Sequence, residues 1–418
     1  MSARRTMLLL HRWGGLGVAL FLLVAALTGC ALVFRPELDA ALNPELFSAP
    51  PGPVLPAPEL AERLALAHPD WVLRSVPVRS RTGRALAVDV RPVDVGAVRK
   101  ADEVFVDPRN GGVLGARGRA WGLDRAHLFG TMLALHYTLL AGGPGRWLMG
   151  VAAVLWLVLN LLGLVITWPR RAPKLRNWAP SWTVSRWGMR VRPLIELHRV
   201  AGLWLVILLS VLAYTSVAFN FYYELFVPAV EELSPPRRGG PFDGPAPKAG
   251  AAAPQGRAIG FAAALAAAER AAAAHTPGLA PATMGEDRAR GFYEVGFSPG
   301  GTSVYRNAGP VTYYLGRTDG RLIWIDQPSL DGLGKELERT LYPLHSGQVF
   351  GLPTRILVLV LGLVMAGLTL TGFIPWWKRW RSRRRNARTA RERVAAEGRG
   401  GSRADAGVNA TAGGRTAL

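Results

Sequence analysis

Four long stretches without a single Asp, Glu, Lys or Arg constrain this chain of 418 residues more than any other feature. They occupy residues 14–34, 147–168, 200–223 and 356–377. In a helix, about 20 apolar residues cross the hydrocarbon core of a bilayer, and each stretch is at least that long. The sequence therefore predicts a membrane protein with four transmembrane helices.

The charges that flank these stretches predict their orientation, because Lys and Arg in short loops stay on the cytoplasmic side. The N-terminal flank carries Arg4, Arg5 and Arg12 and no acid, and the connection between the second and third spans is also strongly basic. The segment after the fourth span holds 12 basic residues and three acidic ones. We therefore expect both termini in the cytoplasm and two long loops facing outward.

The same distribution interprets the formal net charge of +21. Nearly all of the excess lies in the segments predicted to be cytoplasmic, so it is a topology signal and does not indicate nucleic-acid binding. The Arg-rich stretch 378–393 is expected to contact the anionic inner leaflet.

The single cysteine, Cys30, excludes a disulfide framework, a cysteine-ligated zinc site and an iron–sulfur cluster. Residues 27–30, Leu-Thr-Gly-Cys, also have the general form of a lipoprotein cleavage site. Because the apolar run continues to residue 34, we interpret the segment as a span with Cys30 as a small buried residue.

Each outward loop predicts a short helix followed by strands. The first loop has a helical pattern at 59–67, strands at 72–78 and 85–90, and a hairpin within 103–114. The second loop follows a Pro/Ala/Gly-rich linker with a helix at 258–274 and strands at 292–297, 311–315 and 322–325. We expect two small α+β domains outside the membrane.

These patterns divide the chain into twelve segments. The predicted bounds are a cytoplasmic N-terminus 1–12, spans 13–34, 146–168, 196–223 and 355–377, outward domains 35–125 and 257–340, outer-face segments 126–145 and 341–354, a basic cytoplasmic loop 169–195, a linker region 224–256, and a basic, disordered cytoplasmic tail 378–418.

The two halves of the chain also resemble each other in sequence. A numbering shift of 187 aligns 10–16 with 197–203, and a numbering shift of 209 aligns 110–170 with 319–379 without a gap. Each half then contains a span, an outward segment and a second span. A half with an even number of spans returns to its starting side, which predicts two tandem parallel repeats in a four-helix bundle.

Four of the seven histidines are equivalent under these shifts: His11 with His198, at the cytoplasmic start of a span, and His136 with His345, before a span on the outer side. A two-fold axis would bring each pair face to face, as required of the two axial ligands of a b-type haem, which needs no Cys attachment motif. We therefore expect two haems, an inner and an outer one. Interfacial histidines with a structural role are the alternative, particularly for the outer pair, which Gly142–Gly145 and Pro353 separate from the spans.

Three further residues are candidates for the same sites. His127, whose equivalent position holds Glu336, is a possible ligand or electron-path residue. Arg146 and Arg355 open the second and fourth spans and could bind haem propionates, although interfacial snorkelling also explains them.

Several motifs together resemble a known family. They are Leu-His-Arg-x-x-Gly-Leu at 10–16, Leu-Thr-Gly at 27–29 and 370–372, Phe-Val-Asp-Pro at 105–108, Leu-His at 344–345 and Phe-Gly-Leu-Pro at 350–353. In combination they resemble the PepSY-associated transmembrane family of iron-regulated membrane proteins, which includes ferrisiderophore reductases. The resemblance implies PepSY-like periplasmic domains and b-type haems between the spans, with His11, His198, His136 and His345 as ligands.

The resulting hypothesis is an inner-membrane di-haem b protein that reduces a periplasmic ferric siderophore. The tail lacks the length and the Gly-rich fingerprint of a flavin reductase domain, so a separate cytoplasmic or quinol donor is expected. The competing hypothesis is a non-enzymatic protein whose outward domains bind peptides or proteases. A metal-ion carrier is disfavoured, because carboxylates such as Glu196 and Glu224 lie only at the edges of the spans.

Overall fold

The computed structural model describes residues 2–93, 102–118, 121–184, 192–243, 256–302, 304–305 and 308–411, and for residues 192 and 393–411 it describes the backbone alone. Twelve α-helices and eight strands occur in these residues. In the first half they are α1 (Ala3–Leu32), α2 (Arg35–Leu42), α3 (Pro44–Phe47), α4 (Ala57–Ala67), β1 (Trp71–Pro77), β2 (Leu86–Pro92), β3 (Glu103–Val106), β4 (Val113–Arg117), α5 (Leu128–Thr138), α6 (Gly142–Thr167) and α7 (Lys174–Trp178).

The second half repeats much of this order. It contains α8 (Arg192–Asn220), a π-helical turn (Tyr222–Phe226), α9 (Val227–Leu233), α10 (Phe261–His275), β5 (Leu279–Asp287), β6 (Phe292–Pro299), β7 (Val311–Gly316), β8 (Leu322–Asp326), α11 (Leu333–Ser346) and α12 (Leu352–Thr411). Short 3₁₀ helices lie at Ala179–Trp182 and Pro328–Leu330. The predicted linker includes 244–255, which lie outside the described residues.

Four of the helices are long and apolar enough to cross a membrane: Ala3–Leu32, Gly142–Thr167, Pro193–Asn220 and Leu352–Glu392. This agrees with the four predicted spans, and the protein is a membrane protein. The chain forms two compact units, and each of these helices contributes residues to both. One unit contains 1–19, 161–204 and 366–418, and the other contains 20–160 and 205–365.

The larger unit contains a single antiparallel sheet of eight strands in the order β4-β3-β2-β1-β5-β6-β7-β8. Strands β1 and β5 pair at its centre, with Val76 opposite Met284 and Pro77 opposite Thr283. The strands of the two predicted α+β domains therefore form one continuous sheet. Each loop leaves an edge strand with unpaired backbone groups, and pairing β1 with β5 satisfies both edges.

One hydrophobic core lies under this joined sheet and includes residues of both loops. Helix α4 buries Leu60 and Leu64, one turn apart, against the sheet. Helix α10 presents Ala264, Ala268 and Ala272 at the same spacing, and these small side chains let its backbone approach the strands closely. The two loops therefore share one core, which explains why neither is a separate domain.

The predicted interruptions between the outer histidines and the following spans are present. Helix α5 ends at Thr138, and Leu139 and Leu140 adopt left-handed φ values of 52° and 60° before α6 begins at Gly142. Helix α11 ends at Ser346, and Gly347 and Gly351 have φ of 75° and 71° before α12. His136 and His345 therefore lie on short helices outside the spans.

Cys30 lies inside α1 and packs against α12. Its thiol is 3.6 Å from the Leu359 carbonyl oxygen, and a Cβ added at Gly362 would lie only 2.6 Å from Sγ. The absence of a side chain at Gly362 thus lets α1 and α12 approach each other at this point. That the Leu-Thr-Gly-Cys segment is kept as part of an intact span stays a prediction.

Candidate functional site: two facing histidine pairs

The inner pair brings His11 of α1 and His198 of α8 together within the smaller unit. Their ring centres are 6.3 Å apart and the ring planes cross at 85°. Gly163 of α6 lies beside His11, and a Cβ there would be 3.4 Å from its Cε1. Gly372 of α12 lies beside His198 in the same way, with a Cβ distance of 3.6 Å. Each ring thus faces its partner with a glycine at its Cε1 side.

The hydrogen bonds of His198 define which of its ring nitrogens carries the proton. Nδ1 is 2.9 Å from the Leu368 carbonyl oxygen and 3.1 Å from Thr371 Oγ1. A carbonyl oxygen can only accept, so Nδ1 donates its hydrogen to Leu368. Nε2 of His198 then carries the lone pair and is the nitrogen available to a metal.

The outer pair brings His136 of α5 and His345 of α11 together within the larger unit. Their ring centres are 6.1 Å apart and their planes cross at 67°. Nδ1 of His136 is 3.0 Å from Thr28 Oγ1 on α1, and Nδ1 of His345 is 2.9 Å from Thr215 Oγ1 on α8. Each imidazole is thus hydrogen-bonded to a threonine of a neighbouring helix that is itself a candidate span.

Both threonine hydroxyls donate their hydrogen to a backbone carbonyl of their own helix. Thr28 donates to the Val24 carbonyl at 2.6 Å, and Thr215 donates to the Leu212 carbonyl at 3.0 Å. Each hydroxyl has one hydrogen, so towards the histidine it accepts, and Nδ1 of both rings is the donor. The Nε2 lone pairs of His136 and His345 are therefore also available for ligation.

Burial keeps the outer rings neutral. Removal from water lowers the pKa of His136, and it lowers the pKa of His345 to about 3, with the neighbouring His136 as a second cause. A metal binds neutral imidazole and competes with a proton, so the outer pair is in its ligating form at neutral pH.

The partners of the four histidines are themselves related by the two numbering shifts. The shift of 187 that relates His11 to His198 also relates Thr28 to Thr215. The shift of 209 that relates His136 to His345 also relates Gly163 to Gly372. Equivalent residues in the two halves thus make equivalent contacts at both pairs.

The pair geometry can be compared with that of two axial imidazoles. With metal–nitrogen bonds of about 2.0–2.1 Å and ring centres about 1.1 Å behind each nitrogen, two imidazoles on opposite sides of one metal have ring centres about 6.2–6.4 Å apart. The observed 6.3 and 6.1 Å agree with this spacing. Both pairs therefore have a spacing at which their imidazoles could hold a haem iron between them.

The surroundings of the pairs also suit a haem, whose porphyrin supplies the other ligands of the iron. No group of three or more His, Cys, Asp or Glu that could hold a metal ion occurs among the described residues. Gly15 and Gly202, one helical turn after His11 and His198, have no atom within 4 Å of an added Cβ. The inner histidines thus have open space beside them on their own helix faces.

The comparison with known families concerns nearly the whole chain. Residues 8–379 match the family described as "PepSY-associated TM region". The chain belongs to this family. No curated protein matches the chain.

The matched region of this PepSY-associated protein includes both histidine pairs and their threonine and glycine neighbours. It ends at 379, near the start of the basic part of α12. The family resemblance predicted from the sequence motifs is therefore confirmed.

His127, in contrast, is not part of the outer pair. It precedes α5, and its Nδ1 is 2.8 Å from Asp124 Oδ2, a hydrogen bond within the turn before the helix. His136 lies nine residues further along, a helical rise of about 13 Å. The structure thus brings His136, and not His127, to His345.

Arg146 and Arg355 form equivalent contacts with carboxylates. Arg146 of α6 contacts Glu224 and the Asn220 carbonyl, and Arg355 of α12 contacts Glu37 at 2.6 Å and the Val33 carbonyl at 2.8 Å. Glu37 and Glu224 are equivalent under the shift of 187, and each arginine binds the glutamate of the other half of the chain. We call these contacts the two clasps. Each guanidinium joins the start of one span to the end of another.

Sequence reasoning missed the roles of Thr28 and Thr215 and of the clasp glutamates. A signal for them existed, because Thr28 lies in the Leu-Thr-Gly motif and Thr215 occupies the equivalent position at a shift of 187. If the two halves had been compared along the whole spans, and not only at the histidines, the equivalent hydroxyls of Thr28 and Thr215 would have been noticed.

Proposed function

We propose that this protein carries two b-type haems, one held by His11 and His198 and one by His136 and His345, and transfers single electrons across the membrane. The observation that carries the proposal is the occurrence of two facing histidine pairs with ring centres at axial-ligand spacing. When bound, the haems would supply reversible one-electron chemistry, which no side chain of this chain supplies.

The protein's own contribution is to orient and protect the ligands. Thr28, Thr215 and the Leu368 carbonyl accept the Nδ1 hydrogens of His136, His345 and His198, which leaves Nε2 of these three rings free of a proton. Such outer contacts fix the tautomer and increase ligand basicity. The low pKa values of His136 and His345 keep a proton from competing for the outer site.

The proposal includes the topology predicted from the sequence. Two tandem parallel repeats in the bacterial inner membrane, with cytoplasmic termini, would put the inner pair near the cytoplasm and the outer pair near the periplasm. The equivalent Thr–His contacts and the two clasps support the repeat, and the concentration of basic residues around the inner ends of the spans supports the orientation.

The substrate we propose is a ferric siderophore in the periplasm. Siderophore oxygens are hard donors that suit Fe³⁺ better than Fe²⁺, so one-electron reduction weakens the complex and releases the metal. A separate cytoplasmic or quinol donor would supply the electron. The family assignment, with its ferrisiderophore reductase members, supports this choice over simple electron storage.

The proposed partner of the basic end of α12 is the anionic inner leaflet. Lys378, Arg379, Arg381 and Arg383 to Arg385 follow the fourth span directly, and the side chains from 381 to 392 are exposed. Each cationic residue near an anionic surface contributes about 1 kcal/mol of attraction. No nucleic acid is expected to bind.

An anaerobic mixing experiment tests the function. Dithionite-reduced protein in proteoliposomes, freed of excess dithionite, is mixed with a ferric hydroxamate chelate and a chromophoric Fe²⁺ trap. We expect reoxidation of the haem α-band together with formation of the Fe²⁺ complex, and no reaction with the gallium chelate. Haem that stays reduced in the presence of ferric chelate contradicts the proposed substrate, and a colourless protein favours the peptide-binding alternative.

A further inference from the structure

A cavity of about 260 Å³ in the larger unit has none of the four paired histidines in its lining. Its wall is formed by α9, α11, strands β7 and β8, and the segment 236–243. We call it the acidic cavity, because five carboxylates line it, Glu231, Asp243, Asp326, Asp331 and Glu338, against two cations, Arg237 and Lys335. Ligand sites of proteins measure roughly 300–1,000 Å³, so this cavity fits a compact ligand or the core of a larger one.

The cavity combines aromatic and charged surfaces, as small-molecule sites commonly do. Trp324, Tyr314 and Phe242 line it. The guanidinium of Arg237 stacks on Trp324 at 3.7 Å and binds Asp331 at 3.0 Å. Both cations are thus already paired, since Lys335 contacts Glu338 at 2.9 Å. Asp326 is also paired, with Arg339, so the excess of negative charge in the cavity comes from Glu231 and Asp243.

Helix α11 connects this cavity to the outer pair. Glu338 and His345 are seven residues apart, so they lie on the same face of α11 with a rise of about 10 Å between them. Tyr222 donates a 2.5 Å hydrogen bond to Glu338, and it lies seven residues after Thr215, which binds His345. Helix α11, which carries His345, therefore also lines the cavity, and Tyr222 contacts the cavity residue Glu338.

We propose that the acidic cavity is the binding site for the ferric chelate and that it selects chelates of neutral or positive charge. The identity of the ligand rests on the proposed function, whereas the charge preference rests on the lining residues. A tris-hydroxamate of a trivalent metal is neutral, and a pendant ammonium makes it cationic. A tris-catecholate carries three negative charges and is repelled by the excess of carboxylates.

Glu231 offers the sharpest test of this selection. It lines the cavity and makes no ion pair within the described part of the chain, so its substitution breaks no structural contact of that kind. Glu232, the next residue of α9, is also exposed and does not line the cavity. Glu231→Lys and Glu232→Lys therefore change the net charge of the protein equally. Only Glu231→Lys changes the charge of the cavity lining.

The experiment is calorimetric titration of the full-length protein in nanodiscs with redox-inert gallium(III) chelates. The probes are gallium tris(acetohydroxamate), the gallium complex of a linear trihydroxamate with a pendant ammonium, and gallium tris(catecholate). We expect the two hydroxamates to bind and the catecholate to bind at least about tenfold more weakly. Glu231→Lys should raise the Kd of the cationic probe about fivefold, Glu231→Gln should raise it less, and Glu232→Lys should leave it nearly unchanged.

Two results would overturn the inference: catecholate binding as tight as hydroxamate binding, or equal effects of the two lysine variants. Trp324→Phe and Trp324→Ala provide a second line, because loss of the ring, but not its replacement by phenyl, should abolish hydroxamate binding. Gallium(III) accepts no electron under these conditions, so the titration does not depend on haem reduction. If the gallium hydroxamates do not bind but ferric chelate still oxidises the haem, the acidic cavity is not the binding site and the proposed function stands.

Discussion

The inner and outer histidine pairs have nearly the same ring spacing but different supports. His11 and His198 lie on long helices that are themselves candidate spans. His136 and His345 lie on short helices that end before a span begins, and a threonine hydroxyl of another helix holds each ring. The inner ring His198 instead donates to a backbone carbonyl that no substitution of one side chain removes.

This difference predicts where each pair is vulnerable. The outer pair depends on two side-chain hydroxyls and on the breaks after α5 and α11, so single substitutions should disturb it. The inner pair depends on helix backbones that pack closely, so it should tolerate loss of a hydroxyl but respond to added volume. The following predictions test this contrast, beginning with the largest effect.

Removing one ligand should remove one haem and leave the other. His11→Ala should lose the inner haem and His345→Ala the outer one, so that each variant binds about one haem per chain instead of about two. The pyridine haemochrome assay, normalised to protein, measures this. His127→Ala is the control and should keep the wild-type content, because its ring contacts Asp124 and not the outer pair. Loss of both haems in either ligand variant would show that the two sites are not independent.

Removing a threonine hydroxyl should affect the outer pair more than the inner pair. Thr215→Val leaves the Nδ1 hydrogen of His345 without its acceptor, and we expect outer-haem affinity to fall about 10- to 100-fold. Thr371→Val should have a much smaller effect, because Leu368 still accepts from His198.

The measurement is haem titration into the separately expressed apoproteins. Thr215→Ser keeps the hydroxyl and should restore affinity. If Thr215→Val and Thr371→Val lose haem affinity equally, the outer pair does not depend on side-chain hydroxyls more than the inner pair does.

Added volume beside the rings should have graded effects. A Cβ at Gly29 would lie 3.0 Å from His136 Cε1, at Gly163 3.4 Å from His11, and at Gly372 3.6 Å from His198. We therefore expect Gly29→Ala to shift the outer ring most, Gly163→Ala to shift the inner ring moderately, and Gly372→Ala to change little. Electron paramagnetic resonance of the oxidised protein reports ligand-ring orientation. A reversed order would mean that the rings are free to move.

The clasps should contribute the smallest effect, and it should depend on pH. The hydrogen bond from Arg355 lowers the pKa of Glu37, and the one from Arg146 lowers the pKa of Glu224. A carboxyl with a lowered folded-state pKa stabilises the fold fully above its ordinary pKa, and the contribution is lost as the pH falls through the lowered value. We therefore expect Arg355→Ala to lower the unfolding temperature slightly at pH 7.

As the pH falls through the lowered pKa values of the clasp carboxyls, the unfolding temperature of the wild type should approach that of the Arg355→Ala variant. Thermal unfolding in detergent, monitored by circular dichroism, measures the unfolding temperatures of both proteins at each pH. Haem content at pH 7 should stay unchanged, since the arginines contact carboxylates. A lost or shifted haem in Arg355→Ala would instead indicate a propionate contact.

Much of the architecture could be predicted from the sequence because it rests on strong local signals. The four spans, the hairpin at Asp107 to Gly111 and helices α4 and α10 follow from charge-free runs, turn residues and periodicity. Strand β5 was missed, since Pro281 and Gly285 disfavour a strand and only pairing with β1 and β6 compensates.

The pairing of the histidines could be predicted from the internal shifts, and the structure brings the predicted rings together. The partners of the arginines could not, because each histidine pairs with its own equivalent in the other half, whereas a clasp joins two residues that neither shift relates. The union of the two outward loops into one sheet also depends on contacts between distant segments, about which local patterns carry no information.

The central claim is that each facing histidine pair binds one haem b. The most direct test is the optical spectrum of the purified full-length protein, oxidised and dithionite-reduced, combined with the haem-to-protein ratio. The account predicts a low-spin spectrum with a sharp reduced α-band and about two haems per chain. A protein without a Soret band after expression with ample haem would contradict it.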